Sequence, residues 1–432
     1  MMKHYYRRKL PLSVGASLVL FSGVFSLLTY TERITPLSFG FRPILKLKLC
    51  TRKEDGITDV RRNDATGLND PELDERLEFD SDECGVVDGK WVYDSNLEPL
   101  YTDTSCPYLD RQVSCIRNGR NDSDYLRWVW QPDDCLLPPF NAARALERLR
   151  GKRLMFVGDS LQREQWQSFV CMIQHMIPAH GKSMKRSQSH SIFRVNEYNC
   201  SIEFYWAPFL VESNTDGDII ADPKKRMLRV DSVSKHAKHW TGVDVLVFNT
   251  YVWWMSVSRV KSLWGSFSNA EDAYEELEVP VAYRIGLKTW ANWVDSNINP
   301  NTTKVFFTTM SPTHLRAKDW NREGGIKCFD ETMPVRNKKN HWGSGSNKRV
   351  MSVVSGVLGR MKVPVTILNI TQLSEYRIDG HTSIYTEADG HLLTDEQKAD
   401  PLHYADCIHW CLPGIPDTWN RIFYAQLLSQ RF

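Results

Sequence analysis

Apolar and polar positions divide the chain into stretches of different character. Residues 10–30 carry no charge and are mostly apolar or small, with Lys3, Arg7, Arg8 and Lys9 before them and Glu32 and Arg33 after them. Such a run is about long enough to cross a bilayer as a helix, and a basic flank keeps that end cytoplasmic. The expectation is a cytoplasmic tail over residues 1–9 and a single-pass signal anchor over residues 10–30, with the bulk of the chain in a lumen. A cleaved signal peptide is the alternative, but the apolar run is longer than a signal core and lacks a small-x-small cleavage site. Residues 31–82 read as a flexible stem, because the part from residue 51 onward is charged and poor in large apolar side chains.

Beyond the stem the pattern changes twice. Residues 83–150 are polar, weakly periodic and rich in cysteine, which predicts a small cysteine-bound lobe. Residues 151–432 alternate between two periods. Helical spacing over residues 141–149 leads into an apolar run at 154–157, and helical spacing resumes over 161–170. Strand-like runs at 201–209, 243–248, 304–310 and 363–370 are interleaved with helical stretches at 282–297 and 350–362. Helices alternating with apolar strands predict an α/β core whose parallel sheet is covered on both faces. Ligands in such sheets sit at the carboxyl ends of the strands, where Ser160, Asn249 and Ser311 fall.

Composition narrows the partners. A formal net charge of +2 over 432 residues gives no polyanion signature, so nucleic acid is not expected. Fifteen Trp and sixteen Tyr exceed what a core usually needs and allow some to stack on sugar rings. Of ten cysteines, Cys50 lies near the anchor, and Cys84, Cys106, Cys115, Cys135, Cys171, Cys200, Cys328, Cys407 and Cys411 lie beyond the stem. Disulfides in an oxidising lumen explain them better than zinc, because no pair has the close C-x-x-C spacing of a zinc knuckle. Sequons at Asn121, Asn199, Asn301 and Asn369 are candidate glycosylation sites. No metal is expected.

The chemistry centres on GKRLMFVGDSLQREQW, residues 151–166. A serine between a buried strand and a helix start can be a nucleophile, since the turn lifts its hydroxyl out of the sheet and the helix's free N–H groups favour a developing negative charge. Asp159 and Ser160 are also ordinary N-cap residues. A serine nucleophile needs a base and the base an orienting acid. Asp406 and His409, spaced D-x-x-H with Cys407 inside the motif and Cys411 just after it, can face one side of a turn. Asp379-Gly380-His381 is a second acid–histidine pair, set aside because Asp379 can pair with Arg377, and His314 is read as structural.

GDS after a strand, with D-x-x-H near the C-terminus, resembles the SGNH/GDSL hydrolase superfamily. Residues 151–166, FYWAPFLVE (204–212), VFNTYVWW (247–254), SEYRIDGHTSIY (374–385) and DCIHWCLPGIPDTWN (406–420) resemble more closely the plant trichome-birefringence-like family, in its xylan O-acetyltransferase branch. The resemblance covers residues 84–432. It implies an SGNH-like three-layer fold with a central parallel sheet and a disulfide-rich N-terminal lobe. It implies Ser160 as nucleophile, His409 as base and Asp406 as its partner. Asn249, the Ser160 amide and Arg163 become candidate oxyanion donors beside Gly158, although no counterpart of the superfamily's oxyanion glycine is found. It pairs Cys84 with Cys135, Cys106 with Cys171, Cys115 with Cys411 and Cys328 with Cys407, leaving Cys200 over.

The activity so implied is acetyl transfer in the Golgi lumen to O-2 or O-3 of a xylan or xylo-oligosaccharide acceptor, through an acetyl-serine. No bound cofactor is expected. The donor is acetyl-CoA or an upstream acetyl carrier, and the membrane contact is the N-terminal helix. Trp253 and Trp254 are candidate sugar platforms, with core packing as their alternative. An acetylesterase with the same three residues, an acetyltransferase for another wall glycan, and a polysaccharide-binding protein with a vestigial site are the rival readings.

Overall fold

The computed structural model describes residues 84–430 except 218, 266, 268–273 and 336–340. The expected tail, anchor and stem lie outside the described residues, and among those no helix is long and apolar enough to cross a membrane.

The core is a seven-stranded sheet of β1 (Arg153–Gly158), β2 (Lys182–Arg186), β3 (His190–Val195), β4 (Cys200–Trp206), β5 (Val245–Phe248), β6 (Lys304–Thr308) and β7 (Val365–Leu368), in the order β7-β6-β5-β1-β4-β3-β2. Strands β7, β6, β5, β1 and β4 run parallel, whereas β3 and β2 are antiparallel to their neighbours. The sheet is therefore mixed, which corrects the all-parallel expectation. The connections explain it: β2, β3 and β4 follow one another through short turns too brief for a crossover helix. Strands β2 and β3 are partly exposed and polar, so no apolar run marks them in the sequence.

Alternate residues of β1 enter two cores. Leu154 and Phe156 pack with Phe169, Val170, Trp419 and Phe423, from α2 (Ser160–Gln174), which follows α1 (Ala142–Arg148) in the chain, and from the C-terminal helix (Ile415–Ser429). Met155 and Val157 pack on the other face with Trp240, Leu287 and Trp290, whose helices are Ser234–Trp240 and Val279–Asn297. Both faces of the sheet are thus covered by helices. Each such side chain stabilises the fold by about 1.5–3 kcal/mol on full burial. Trp254 belongs to this second core and is 1% exposed, which removes it as a sugar platform.

The N-terminal lobe contributes a ribbon of Gly89–Tyr93 against Trp128–Pro132 and is fastened to the core by disulfides. Cys84–Cys135, Cys106–Cys171, Cys115–Cys411 and Cys328–Cys407 join the same cysteines that the resemblance pairs, and Cys200 is free and buried. A second ribbon pairs β8 (His381–Ser383) with β9 (Asp406–Trp410). Cys407 lies within β9 and Cys411 directly follows it, so two disulfides fasten this strand.

Gly158 ends β1, where a Cβ would stand 2.6 Å from the Asn249 carbonyl oxygen and 2.8 Å from Gln162 Cβ. Its place is steric: it lets the end of β5 close on the start of α2. Gly158→Ala is therefore expected to lower stability by about 1–3 kcal/mol, as overpacking does, read as a fall in the thermal or denaturant midpoint.

Candidate active site

Helix α2 starts at Ser160 because Asp159, in extended conformation, accepts from the Leu161 N–H with its side chain (3.0 Å) and so caps the first turn. The Ser160 N–H is one of the helix's first donors, which have no acceptor within the helix. Ser160 itself is partly exposed, at the carboxyl end of β1.

Strand β9 brings the distant residues to it. Ser160 Oγ lies 2.7 Å from His409 Nε2, and His409 Nδ1 lies 2.7 Å from Asp406 Oδ2. Asp406 Oδ1 accepts from the backbone N–H groups of Ile408 (3.0 Å) and His409 (3.1 Å), so the carboxylate is fixed before it meets the ring. The Asp406 and His409 side chains are 18% and 16% exposed. Burial disfavours the imidazolium, but the Asp406 carboxylate outweighs it and raises His409 to about 9. Burial likewise opposes ionisation of Asp406, and the imidazolium with these hydrogen bonds holds it well below the ordinary carboxylate value.

Two neighbours escape a sequence reading. Glu164, one helical turn beyond Ser160 and 2% exposed, accepts from the Trp410 N–H (3.2 Å), and burial raises its carboxyl to about 8. Its i+4 spacing from Ser160 is the signal that could have found it. Gln112 of the N-terminal lobe places Nε2 3.3 Å from His409 Nδ1. The Nδ1 proton points to Asp406, so Gln112 supplies a wall against the ring edge, not a competing acceptor. Nothing in the local sequence around Gln112 signals this.

Other candidates are engaged elsewhere. Asn249 is 4% exposed, and its Nδ2 donates to the carbonyls of Thr308 and Thr309 (3.0 Å each). Both amide hydrogens thus tie β5 to β6, which corrects the expectation that this side chain is an oxyanion donor. Arg163 is held 3.4 Å from Asp110 and donates to Gln112 (3.3 Å), so it is neither a solvated helix residue nor a free donor at Ser160. Trp253 sits edge-on to Trp206 and Phe209, with the Arg226 guanidinium 3.9 Å above its ring. Asp379 is paired with Arg377 through two 2.9 Å contacts, so the D-G-H sequence forms no acid–histidine pair of its own. Among the described residues, no cluster of His, Cys, Asp and Glu is arranged to hold a metal ion.

An α/β sheet carrying serine, histidine and carboxylate in hydrogen-bonded series at its carboxyl edge defines the class of serine-dependent acyl-transfer proteins. Comparison with known proteins agrees. Residues 137–426 match the PC-Esterase model, described as a GDSL/SGNH-like acyl-esterase family found in Pmr5 and Cas1p, and residues 82–136 match the PMR5 N-terminal domain. The chain belongs to the PC-Esterase family. It is 59% identical over 425 residues to protein trichome birefringence-like 3 of Arabidopsis thaliana, covering 97% of each chain. It is 58% identical to probable xylan O-acetyltransferase 8 of Oryza sativa subsp. japonica, over 82% of this chain and 79% of that one. Xylan O-acetyltransferase 6 of the same species is 50% identical, over 81% of this chain and 63% of its own.

The raised His409 value has a direct check. Followed by NMR, the His409 ring is expected to titrate near 9, and in Asp406→Asn to fall to about 6.5 or below.

Proposed function

We propose that the protein is a xylan O-acetyltransferase that carries the acetyl group on Ser160. The carrying observation is the Ser160 Oγ–His409 Nε2–Asp406 arrangement, with 2.7 Å at each contact. The names of the rice relatives supply the acceptor class. His409 Nε2 takes the Ser160 proton as Oγ attacks the acetyl carbonyl of the donor. The Ser160 N–H faces the resulting oxyanion, at the helix terminus where negative charge is favoured. Collapse expels the donor's leaving group, which takes the proton from His409. A xylosyl O-2 or O-3 hydroxyl then gives its proton to His409 and attacks acetyl-Ser160, and collapse expels Ser160 Oγ, which takes that proton back from His409. Asp406 holds the ring and balances the imidazolium in both halves. The donor is acetyl-CoA or another acetyl carrier.

The reading includes a setting in the Golgi lumen, anchored through residues 10–30. Four disulfides favour an oxidising compartment. Asn121, Asn199 and Asn301 are exposed and open to glycosylation, whereas Asn369 is half-buried beside Thr309. Hydrolysis of acetylated xylan is the second reading, favoured by the acyl-esterase description of the family.

Incubation of the protein with an acetyl donor and xylo-oligomers is expected to give acetylated oligomers by mass spectrometry, with NMR giving the position. Release of acetate from acetylated xylan without any transfer would reverse the two readings. Ser160→Ala is expected to abolish turnover with an unchanged melting temperature, and turnover by that variant excludes the acetyl-serine path. The base works unprotonated and its ring is charged below about 9. The rate at limiting acceptor should therefore rise roughly tenfold per pH unit between about pH 6 and 8 and level off above.

A further inference from the structure

Behind the strand that carries His409 lies a buried chain of groups that the acyl-transfer steps leave unused. His381 of β8 and His314 are each 1% exposed, and Glu375 is fully buried. His381 Nδ1 lies 3.0 Å from the His409 carbonyl oxygen. His381 Nε2 lies 2.6 Å from His314 Nδ1. His314 Nε2 lies 3.2 Å from the Glu375 carbonyl oxygen and 3.7 Å from its carboxylate.

Acceptor chemistry fixes the protons. A carbonyl oxygen only accepts, so His381 Nδ1 and His314 Nε2 each carry hydrogen. Between the rings, two lone pairs or two N–H groups would repel at 2.6 Å, so one hydrogen lies there. Two neutral imidazoles hold two N–H protons in total, and this pair holds three. The pair therefore carries one positive charge. A buried charge needs a partner, and Glu375 supplies it, its Oε2 also accepting from the Gly343 N–H (3.1 Å). The other charged groups nearby are committed: Asp379 to Arg377, Asp406 to His409, and Arg120 to the carbonyls of His381 and Asp379. Burial and the adjacent His314 hold His381 well below the ordinary histidine value.

We propose that His314 and His381 form a singly charged imidazole–imidazolium pair, with Glu375 as counter-ion, that fixes the His409 carbonyl and so holds the His409 ring on Ser160. This rests on His409 being the base. The residues are positioning residues: no reacting atom touches them. The backbone around His409 is then pinned three times, by His381 at its carbonyl, by Asp406 at its N–H and by Glu164 at the Trp410 N–H. His381 also stacks on Trp410, with ring centroids 3.9 Å apart and an interplanar angle of 20°. A displacement of about 1 Å at a base can lower the rate about a hundredfold.

The test uses the full chain and two substitutions at one position. His381→Phe keeps a flat ring against Trp410 but neither hydrogen bond. His381→Gln can donate to the His409 carbonyl and accept from His314. We expect His381→Phe to lower kcat about thirtyfold or more with KM for xylo-oligomers little changed, and His381→Gln to restore most of it. Wild-type kcat in His381→Phe, or equal loss in both variants, overturns the proposal. Histidine-selective 15N NMR of the unsubstituted chain gives a reading independent of folding of the variants and of turnover. Three protonated ring nitrogens across His314 and His381 support the pair, and two or four overturn it. Should Ser160→Ala retain turnover while the three-proton count stands, the acetyl-serine reading fails and the charged pair survives.

Discussion

The site depends on the immobility of one five-residue strand, Asp406–Trp410. Ser160 is set by the main sheet and its helix, which are rigid for ordinary packing reasons. His409 arrives from a two-stranded ribbon outside the main sheet, which Trp410 anchors in the first core, and short ribbons by themselves are marginal in water. Covalent closure adds to that anchor. Cys407 ties the strand to Cys328 across 79 residues, and Cys411 ties its end to Cys115 across 296. Bridges over long loops typically contribute about 2–4 kcal/mol each. Here they also confine the element whose displacement would separate His409 from Ser160. The N-terminal lobe is thereby part of the site, through Cys115 and through Gln112 beside the ring.

Electrostatics around that strand divide three carboxyl groups among three tasks. Asp406, fed by two backbone N–H groups and the imidazolium, stays ionised. Asp159 is buried and raised to about 6, and it works as a helix cap. Glu164, also buried, is raised to about 8 while holding the Trp410 N–H. The environments separate these carboxyl groups, as burial without a cationic partner raises a carboxyl and a close imidazolium lowers it. Only the carboxylate that faces the ring directly keeps its charge through the ordinary range.

Much of the core was legible because apolar periodicity is a local property. Strands at 153–158, 245–248, 304–308 and 365–368 and the helix after Ser160 fall where the pattern puts them. The antiparallel edge was not legible, because strands half open to solvent need no apolar run. Ser160, Asp406 and His409 could be named from their motifs. Asn249 sits at a strand end as expected, yet its donors are consumed by two carbonyls of the neighbouring strand. Position along a strand says where a side chain starts, whereas its partners depend on a strand 59 residues away.

By itself the sequence determined the α/β alternation, the serine turn, the acid–histidine spacing and, through family resemblance, the cysteine pairs. Each is encoded within a few residues or a recognisable motif. Tertiary structure alone decided the mixed sheet, the sequestering of Asn249 and Arg163, the core fate of Trp254, and the buried chain from Glu375 through His314 and His381 to His409. These are outcomes of competition among polar groups for a limited set of buried partners. That competition is settled only when distant segments are brought to within about 3 Å, the range of a hydrogen bond.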